Sequence, residues 1–443
     1  MIQERVALGR TAQRAFATWS TVRVRALLAD LAEDHADHAA TYGALTAEET
    51  RMGDAAHKAI KNVVASRGVW ASMRDARVGL LSEEDGVMEV ARPVGLVFAV
   101  VPITNPGPSL IHMTLSALMG QNAIVLSPHR ATLRVAELFR SRVETVLSRH
   151  EAPAGLVQVL THRGDRDETR AWMEAADLVV ATGGAGLVRA AYRSGTPALG
   201  VGPGNAPCWI AEDAPVESLM PALVSSASFD HSLTCGSESH LVVARGRARE
   251  ARAALRRSGA RVLSPDEVDL ARVALFEGGH LRPSLVGQSA RAIAAAIGVT
   301  TDARLLVFPL DRVDATDPLC RESLAPLVTL RSADDDDDAI AICASLLAID
   351  GAGHTAAIHT EDRARVARFA GAMPVARVFV NGPCAFGTVG VTSRLEPSFT
   401  VGSGTWGGCS TTDNVGWRHM VNVQRVVAPR PREACPAGSA LPA

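Results

Sequence analysis

Lysine is nearly missing from this 443-residue chain: of its 45 basic residues only Lys58 and Lys61 are lysines, and the rest are arginine. Aromatic side chains are scarce too, at 4%, which argues against a surface that stacks nucleic-acid bases. Neither sign of charge dominates. A net charge of −2 gives no general electrostatic reason to bind nucleic acid or an anionic membrane. No apolar run reaches the roughly 18 residues a membrane span requires. The first twenty residues follow an amphipathic helical pattern without the apolar stretch of a secretion signal. The seven cysteines, at positions 208, 235, 320, 343, 384, 409 and 435, show no CxxC or CxxH spacing. That disfavours both a disulfide framework and a metal site, and it suits a reducing cytoplasm. What remains, 47% hydrophobic and 21% charged, is the make-up of a soluble globular protein with room for two or three domains.

The patterning points to an α/β fold. Residues 3–50 carry apolar positions at helical spacing, with Val22, Leu27, Leu28 and Leu31 as one stripe, and a further helix is expected over 55–75. Residues 86–92 alternate like a half-exposed strand. The continuous apolar run 93–101 reads as a parallel strand covered on both faces. Helix and strand signals then alternate: helices near 109–120, 132–149 and 187–194, and strands at 123–126, 156–160, 178–181 and 208–211. Such repeated βα units predict a parallel sheet with ligands at the carboxyl ends of its strands. A second α/β section begins near 213, with a strand at 241–243, a polar helix over 247–259, an alanine-rich helix over 286–297 and a strand at 356–359. The acidic run 334–338 sits where it can open a helix, favoured there by the helix dipole, so it is structural and not a metal site.

Three features bear on chemistry. Cys235 stands in SFDHSLTCGSESH among small and polar neighbours rather than the apolar ones of a packing cysteine, with Gly236 leaving room for a reactant. The turn TGGAG, residues 182–186, joins a strand to a helix and can bring backbone N–H groups onto a phosphate, although such turns also occur with no ligand. Lys58 and Lys61 share a helix face at a spacing of three. They are either part of a solvated surface or a place where a compact ammonium is needed in preference to a guanidinium fork.

Several blocks in order, among them ARPVGLVFAVVPITNPGPS, NAIVLSPHR, ATGGAGLVRAAYRSGTPALGVGPGNAP, FDHSLTCGSESH, ESLAPLV and GSGTWGGCSTTDNVGWRHMVN, resemble the aldehyde dehydrogenase superfamily, and within it the coenzyme A-acylating branch. The resemblance implies a Rossmann-type parallel-sheet cofactor domain (1–80 and 94–212) and an α/β catalytic domain (213–400). It also implies a small β oligomerisation element and mouth (81–93 and 401–428), followed by a loose tail (429–443). It casts Cys235 as nucleophile and Asn105 as an oxyanion donor. Thr182, Gly183 and Gly184 would meet the dinucleotide, Ser127, Pro128 and His129 its adenosine half, and Glu322 the nicotinamide ribose. Ala198 stands where hydrolytic members carry the glutamate that activates water, so the acyl group should pass to coenzyme A. The expected substrates are a short aldehyde, CoA, and NAD or NADP, with Arg130 placed to meet a 2′-phosphate. His354, Arg394 and Arg418 are candidates for holding the aldehyde. Ser403 and Cys409 depart from the family pattern at the expected mouth. The rival reading is a hydrolytic enzyme using Glu238 or His354 as base. A cytoplasmic homodimer or homotetramer, with no nucleic-acid or membrane partner, completes the expectation.

Overall fold

In the computed structural model, which describes residues 2–76, 79–162 and 164–428, the chain builds two parallel sheets, a three-stranded antiparallel one and a two-stranded hairpin, Phe276–Glu277 with His280–Leu281. The expected loose tail, 429–443, lies outside the described residues. No helix among the described residues is long and apolar enough to cross a membrane.

The first sheet has five parallel strands, in the spatial order Val157–Val159, Ala123–Pro128, Leu96–Val101, Leu178–Thr182, Ala198–Val201. The chain begins this sheet in the middle, winds outward one way and then the other. The carboxyl ends of the Leu96–Val101 and Leu178–Thr182 strands therefore lie at the point where the winding reverses, and helices leaving to opposite sides open a crevice there. The apolar run read at 93–101 is buried on both faces because helices cover both. Among them, Thr21–Asp37 lays Leu27, Leu28 and Leu31 into the core, each fully buried. Val22 does not join that stripe: it is 77% exposed, and Val24, three residues before Leu27, takes the inward position. The single long helical stretch of 3–50 is three helices, Ile2–Phe16, Thr21–Asp37 and Ala39–Thr50, with Ser20 accepting from the Arg23 N–H to start the second.

The second sheet has seven parallel strands, in the order Ala260–Val262, Leu305–Pro309, Leu327–Ala333, Glu238–Ala244, Ala206–Ile210, Gly353–His359, Val375–Val380. Alternate residues face opposite layers. Trp209, Val242, Leu306 and Phe308 pack on one side, while Cys208, Ile210, Leu241, Val243 and Val307 pack on the other. The Ala206–Ile210 strand belongs here, so the first sheet ends at Val201 and the boundary expected after residue 212 falls earlier. The alanine-rich helix expected over 286–297 shortens to Ala290–Ala295. Gly287 sits at a positive φ of 69° just before it, and Ser289 caps its start. The acidic run opens Asp336–Ile349, with the Asp335 carboxylate accepting from the Asp338 N–H at 2.8 Å.

The third sheet is antiparallel: Leu80–Glu84, Val87–Pro93 and Val421–Val427. Its last strand, Val421–Val427, is exposed over nearly its whole length.

Candidate active site

The two parallel sheets meet at a cavity of about 1520 Å³, larger than the roughly 300–1,000 Å³ of most small-molecule sites and suited to a ligand of dinucleotide length. Its walls come from the carboxyl ends of the first sheet. Ser127 and Pro128 end one strand, with His129 next, and Thr182 ends another, with Gly183 and Gly184 after it. Gly184 precedes the helix Ala185–Arg193 without a side-chain cap, and a Cβ at Gly184 or Gly186 would meet nothing within 4 Å, so the space around the helix start is open. Cys235 and Glu322 approach from the second sheet's side, and Asn105 from the loop after Leu96–Val101. All nine of the catalytic and cofactor candidates named above thus line one cavity, with Arg130 beside them. Its lining also carries Arg166, Arg170, Arg189 and Arg193 together with Asp165, Asp167 and Glu168, with Arg170 paired to Asp167 at 2.6 Å, a charged lining that single motifs in the sequence do not announce.

Cys235 lies in the loop before Glu238–Ala244, half-buried. Burial pushes its thiol up to about 12 and the neighbouring Glu322 adds to this, while Arg377, Lys61 and the residue's own backbone N–H draw it down. The loop is fixed from two sides. A Cβ on Gly204 would stand 1.8 Å from the Cys235 carbonyl oxygen, so the Val201–Asn205 turn packs directly on the cysteine's backbone. A Cβ on Gly236 would meet Thr388 Oγ1 at 2.2 Å. The space at Gly236 is therefore filled by Thr388, and the glycine serves packing rather than a reactant.

Asn105 is the residue before the helix Pro106–Met119, a position where asparagine ordinarily caps with its side chain. Here it makes no such bond. Its Nδ2 donates to the Leu233 carbonyl at 2.9 Å, and its Oδ1 accepts from Lys61 Nζ at 2.8 Å. The side chain is turned from the helix toward the segment that carries Cys235. Pro106 at the first helical position leaves one fewer N–H to satisfy.

The two lysines are not on a solvated face. Lys58 and Lys61 are 3% and 4% exposed, and both pair with Asp230, at 3.1 and 2.6 Å. Burial raises the Asp230 carboxyl, but the two ammonium groups and hydrogen bonds outweigh it and hold it below the usual range. Lys58 is pulled down to about 8 by burial against the pull of Asp230. Arg377, also unforeseen in the sequence, is buried, and its guanidinium donates to the carbonyls of His354, Gly402 and Thr412 at 3.0, 2.7 and 2.7 Å. Burial draws it down to about 10 while Cys235 raises it.

Other candidates fall outside the cavity. His354 sits inside the Gly353–His359 strand, not in a turn before it; it is fully buried, with Nδ1 against Thr355 Oγ1 at 2.8 Å. Burial and then Arg377 push it down to about 3, so it is neutral and enclosed rather than a base on the cavity wall. Arg394 is exposed, and Arg418 lies over the ring of its neighbour Trp417 at 5.2 Å; neither lines the cavity. Glu238 is buried where Ser226 Oγ and the Cys384 N–H donate to it, both at 2.7 Å, so its oxygens are spent on structure. Ser403 and Cys409 are buried against each other, Oγ donating to Sγ at 3.1 Å, and so do not shape the mouth. Ala198 lies at the start of its strand, its carbonyl accepting from Ser410 Oγ at 2.9 Å; the cavity is reached only by Val201, Gly202 and Pro203. The stretch of this segment that reaches the cavity, 201–203, carries no carboxylate. Glu322 is the acid lining the cavity at Cys235. It accepts from the Gly204 N–H at 3.0 Å, and burial pushes it up to about 8.

A parallel sheet of dinucleotide-binding type is joined to a second α/β layer, with a partly open thiol at the large cavity where the two meet. The chain belongs to the aldehyde dehydrogenase family, whose model matches residues 2–271. It is 31% identical to an aldehyde-alcohol dehydrogenase of Clostridium acetobutylicum, over 97% of this chain but 51% of that one. The chain thus spans about half the length of the aldehyde-alcohol dehydrogenases it matches. It is 30% identical to a succinate-semialdehyde dehydrogenase (acetylating) of Clostridium kluyveri, covering 96% of this chain and 95% of that one. Among solved structures it superposes on an acetylating aldehyde dehydrogenase from Geobacillus thermoglucosidasius with a TM-score of 0.94 at 31% identity, covering 97% and 96% of the two chains.

Proposed function

We propose that this chain is a coenzyme A-acylating aldehyde dehydrogenase acting on a short aldehyde. The observation that carries the reading is Cys235 at the cavity wall beside the Asn105 amide, facing a turn, 201–204, that supplies no carboxylate to activate water. The Cys235 sulfur adds to the aldehyde carbonyl, and the oxyanion of the thiohemiacetal takes the Asn105 Nδ2–H and the Cys235 backbone N–H. The 182–184 turn and the helix behind it, with Ser127, Pro128 and His129, suit the phosphates and adenosine of NAD or NADP, and Glu322 its ribose. The dinucleotide supplies the hydride acceptor. What Cys235 then holds is a thioester, and an incoming CoA thiolate displaces the cysteine, giving acyl-CoA and Cys235 as the thiolate, ready for the next aldehyde. Arg189 and Arg193 on the cavity lining suit the phosphates of either cofactor. The site belongs to a cytoplasmic homo-oligomer, with the exposed three-stranded sheet as its joining surface.

The hydrolytic alternative rests on Glu322, a carboxyl raised toward neutrality next to the thiol, where a general base is most effective. Product analysis separates the two. With short aldehydes, CoA and each nicotinamide cofactor, the expected outcome is acyl-CoA equal in amount to reduced cofactor, and no oxidation by Cys235→Ala. Free acid released in the presence of CoA would overturn the acylating reading.

A further inference from the structure

Beneath Asn105 lies a buried ionic cluster whose placement the acyl-transfer chemistry does not by itself explain. Asp230, fully buried, takes three donors: Lys61 Nζ at 2.6 Å and Lys58 Nζ at 3.1 Å on Oδ2, and the Asp54 N–H at 2.8 Å on Oδ1. Its own backbone N–H donates to His57 Nδ1 at 3.0 Å. The helix Ala55–Val63 is in this way tied at three points to the turn that leads into the cysteine loop. That turn is strained. Asp230, His231 and Ser232 stand consecutively in the left-handed region, with φ of 48°, 52° and 62°. For residues with a side chain, such a conformation costs about 1–2 kcal/mol each and survives only where surrounding contacts over-determine it. Two ammoniums against one carboxylate leave the cluster with a net positive charge, in a region closed to water.

We infer that Lys61, anchored by Asp230, is a positioning residue that fixes which way the Asn105 amide faces. The oxygen and nitrogen of an asparagine amide are alike in shape, and its terminal torsion is broad and nearly two-fold. Chemistry alone decides the orientation here. Lys61 Nζ can only donate, so it must face Oδ1; the Leu233 carbonyl can only accept, so it must face Nδ2. Turning the amide over would set N–H against ammonium and oxygen against carbonyl oxygen, leaving two buried groups unpaired. With Oδ1 held, Nδ2 keeps one N–H on the Leu233 carbonyl, two residues before Cys235, and its only other contact is a long one to Thr104 Oγ1 at 3.4 Å. Lys61 also donates to that same Leu233 carbonyl at 3.3 Å, so one ammonium braces both the amide and its partner. Lysine fits where arginine would not. A compact ammonium reaches an amide oxygen, a carboxylate and a carbonyl converging on one point, whereas a planar fork spreads its donors. In a chain with 43 arginines, that geometry accounts for the lysine at 61.

The inference rests on Asn105 being the oxyanion donor, and a double-mutant cycle keeps the two apart. CoA-dependent aldehyde oxidation is measured for the unaltered protein, Lys61→Met, Asn105→Ala and the double variant. Asn105→Ala is expected to lower kcat by about 10²–10³-fold. Lys61→Met is expected to lower kcat by about 10²-fold, as a misdirected donor would, with KM for the dinucleotide unchanged because Lys61 does not line the cavity. In the double variant the Lys61 effect should vanish, leaving kcat within threefold of Asn105→Ala alone. Losses that multiply, or a Lys61→Met enzyme with full kcat, would overturn the inference while leaving the acylating reading intact. Full activity in Asn105→Ala would overturn both. Should Lys61→Met not fold, Lys61→Gln enters the same cycle under the same criterion, since its amide can face either way and no longer dictates that of Asn105.

Discussion

Replacing Gly204 by alanine tests the packing of the cysteine loop most directly. Gly204 is not among the glycines at positive φ, so alanine meets no backbone strain there. The whole effect comes from collision. The added Cβ would lie 1.8 Å from the Cys235 carbonyl oxygen, 2.9 Å from its carbonyl carbon and 3.3 Å from Glu322 Oε1. A carbon and an oxygen in ordinary contact sit roughly 3.3 Å apart, so one of two backbones must retreat by about 1.5 Å. Neither can do so as a side chain would. The 201–205 turn is followed by a strand in the sheet, and Cys235 leads into another. A displacement of about 1 Å at a reacting group can lower the rate by about 10²-fold, and overpacking of this kind destabilises by about 1–3 kcal/mol. Gly204→Ala is therefore expected to retain a cooperative melting transition at lowered temperature, to keep binding dinucleotide, and to lose about two orders of magnitude in kcat. Initial rates of cofactor reduction with CoA, beside calorimetry, read both quantities. A variant within threefold of the normal kcat and with unchanged melting would refute the contact between this turn and Cys235.

Two further outcomes follow from the charges around the thiol and from the helix starts. Glu322 is held up at about 8 and itself raises Cys235, so Glu322→Gln should speed iodoacetamide alkylation of Cys235 severalfold at pH 9, where the normal carboxylate is ionised, and less at pH 6. The same carboxyl binds its proton more tightly folded than unfolded, so it withdraws stability as pH rises from about 4.3 to about 8. The melting temperature of Glu322→Gln should gain on that of the normal protein across this window and hold level above it. Asp335→Ala removes the cap of Asp336–Ile349 and should lower stability by about 0.5–2 kcal/mol in denaturant titration, with kcat unchanged.

Much of the first sheet is legible in the sequence because each βα unit carries its own signal: a two-sided apolar strand, a turn, an amphipathic helix. The second sheet is less so. Ala260–Val262 is an edge strand of three residues with Arg261 at its centre, too short to show a pattern, while Leu305–Pro309 is apolar without alternation, and periodicity alone does not separate it from buried helix. At the site, Cys235 and the glycine turns show themselves through local context. Lys61 and Arg377 do not. Their partners lie 169 and 23 residues away, at Asp230 and His354, and no short window contains both ends of such a contact. The scarcity of lysine pointed to 58 and 61, but only the fold could show them buried. Arg394 and Arg418 illustrate the converse: charge near a glycine-rich segment suggests substrate contact, and the backbone carries both away from the cavity.

Aldehydes condense readily with unprotonated primary amines to form imines, and exposed lysine side chains are where that damage ordinarily accumulates on proteins handling such compounds. Here both lysine amines are sealed inside the molecule, and every other basic side chain is a guanidinium or an imidazole. Under the proposed function, an outer coat of arginine would let the protein work in a reactive aldehyde without being slowly derivatised.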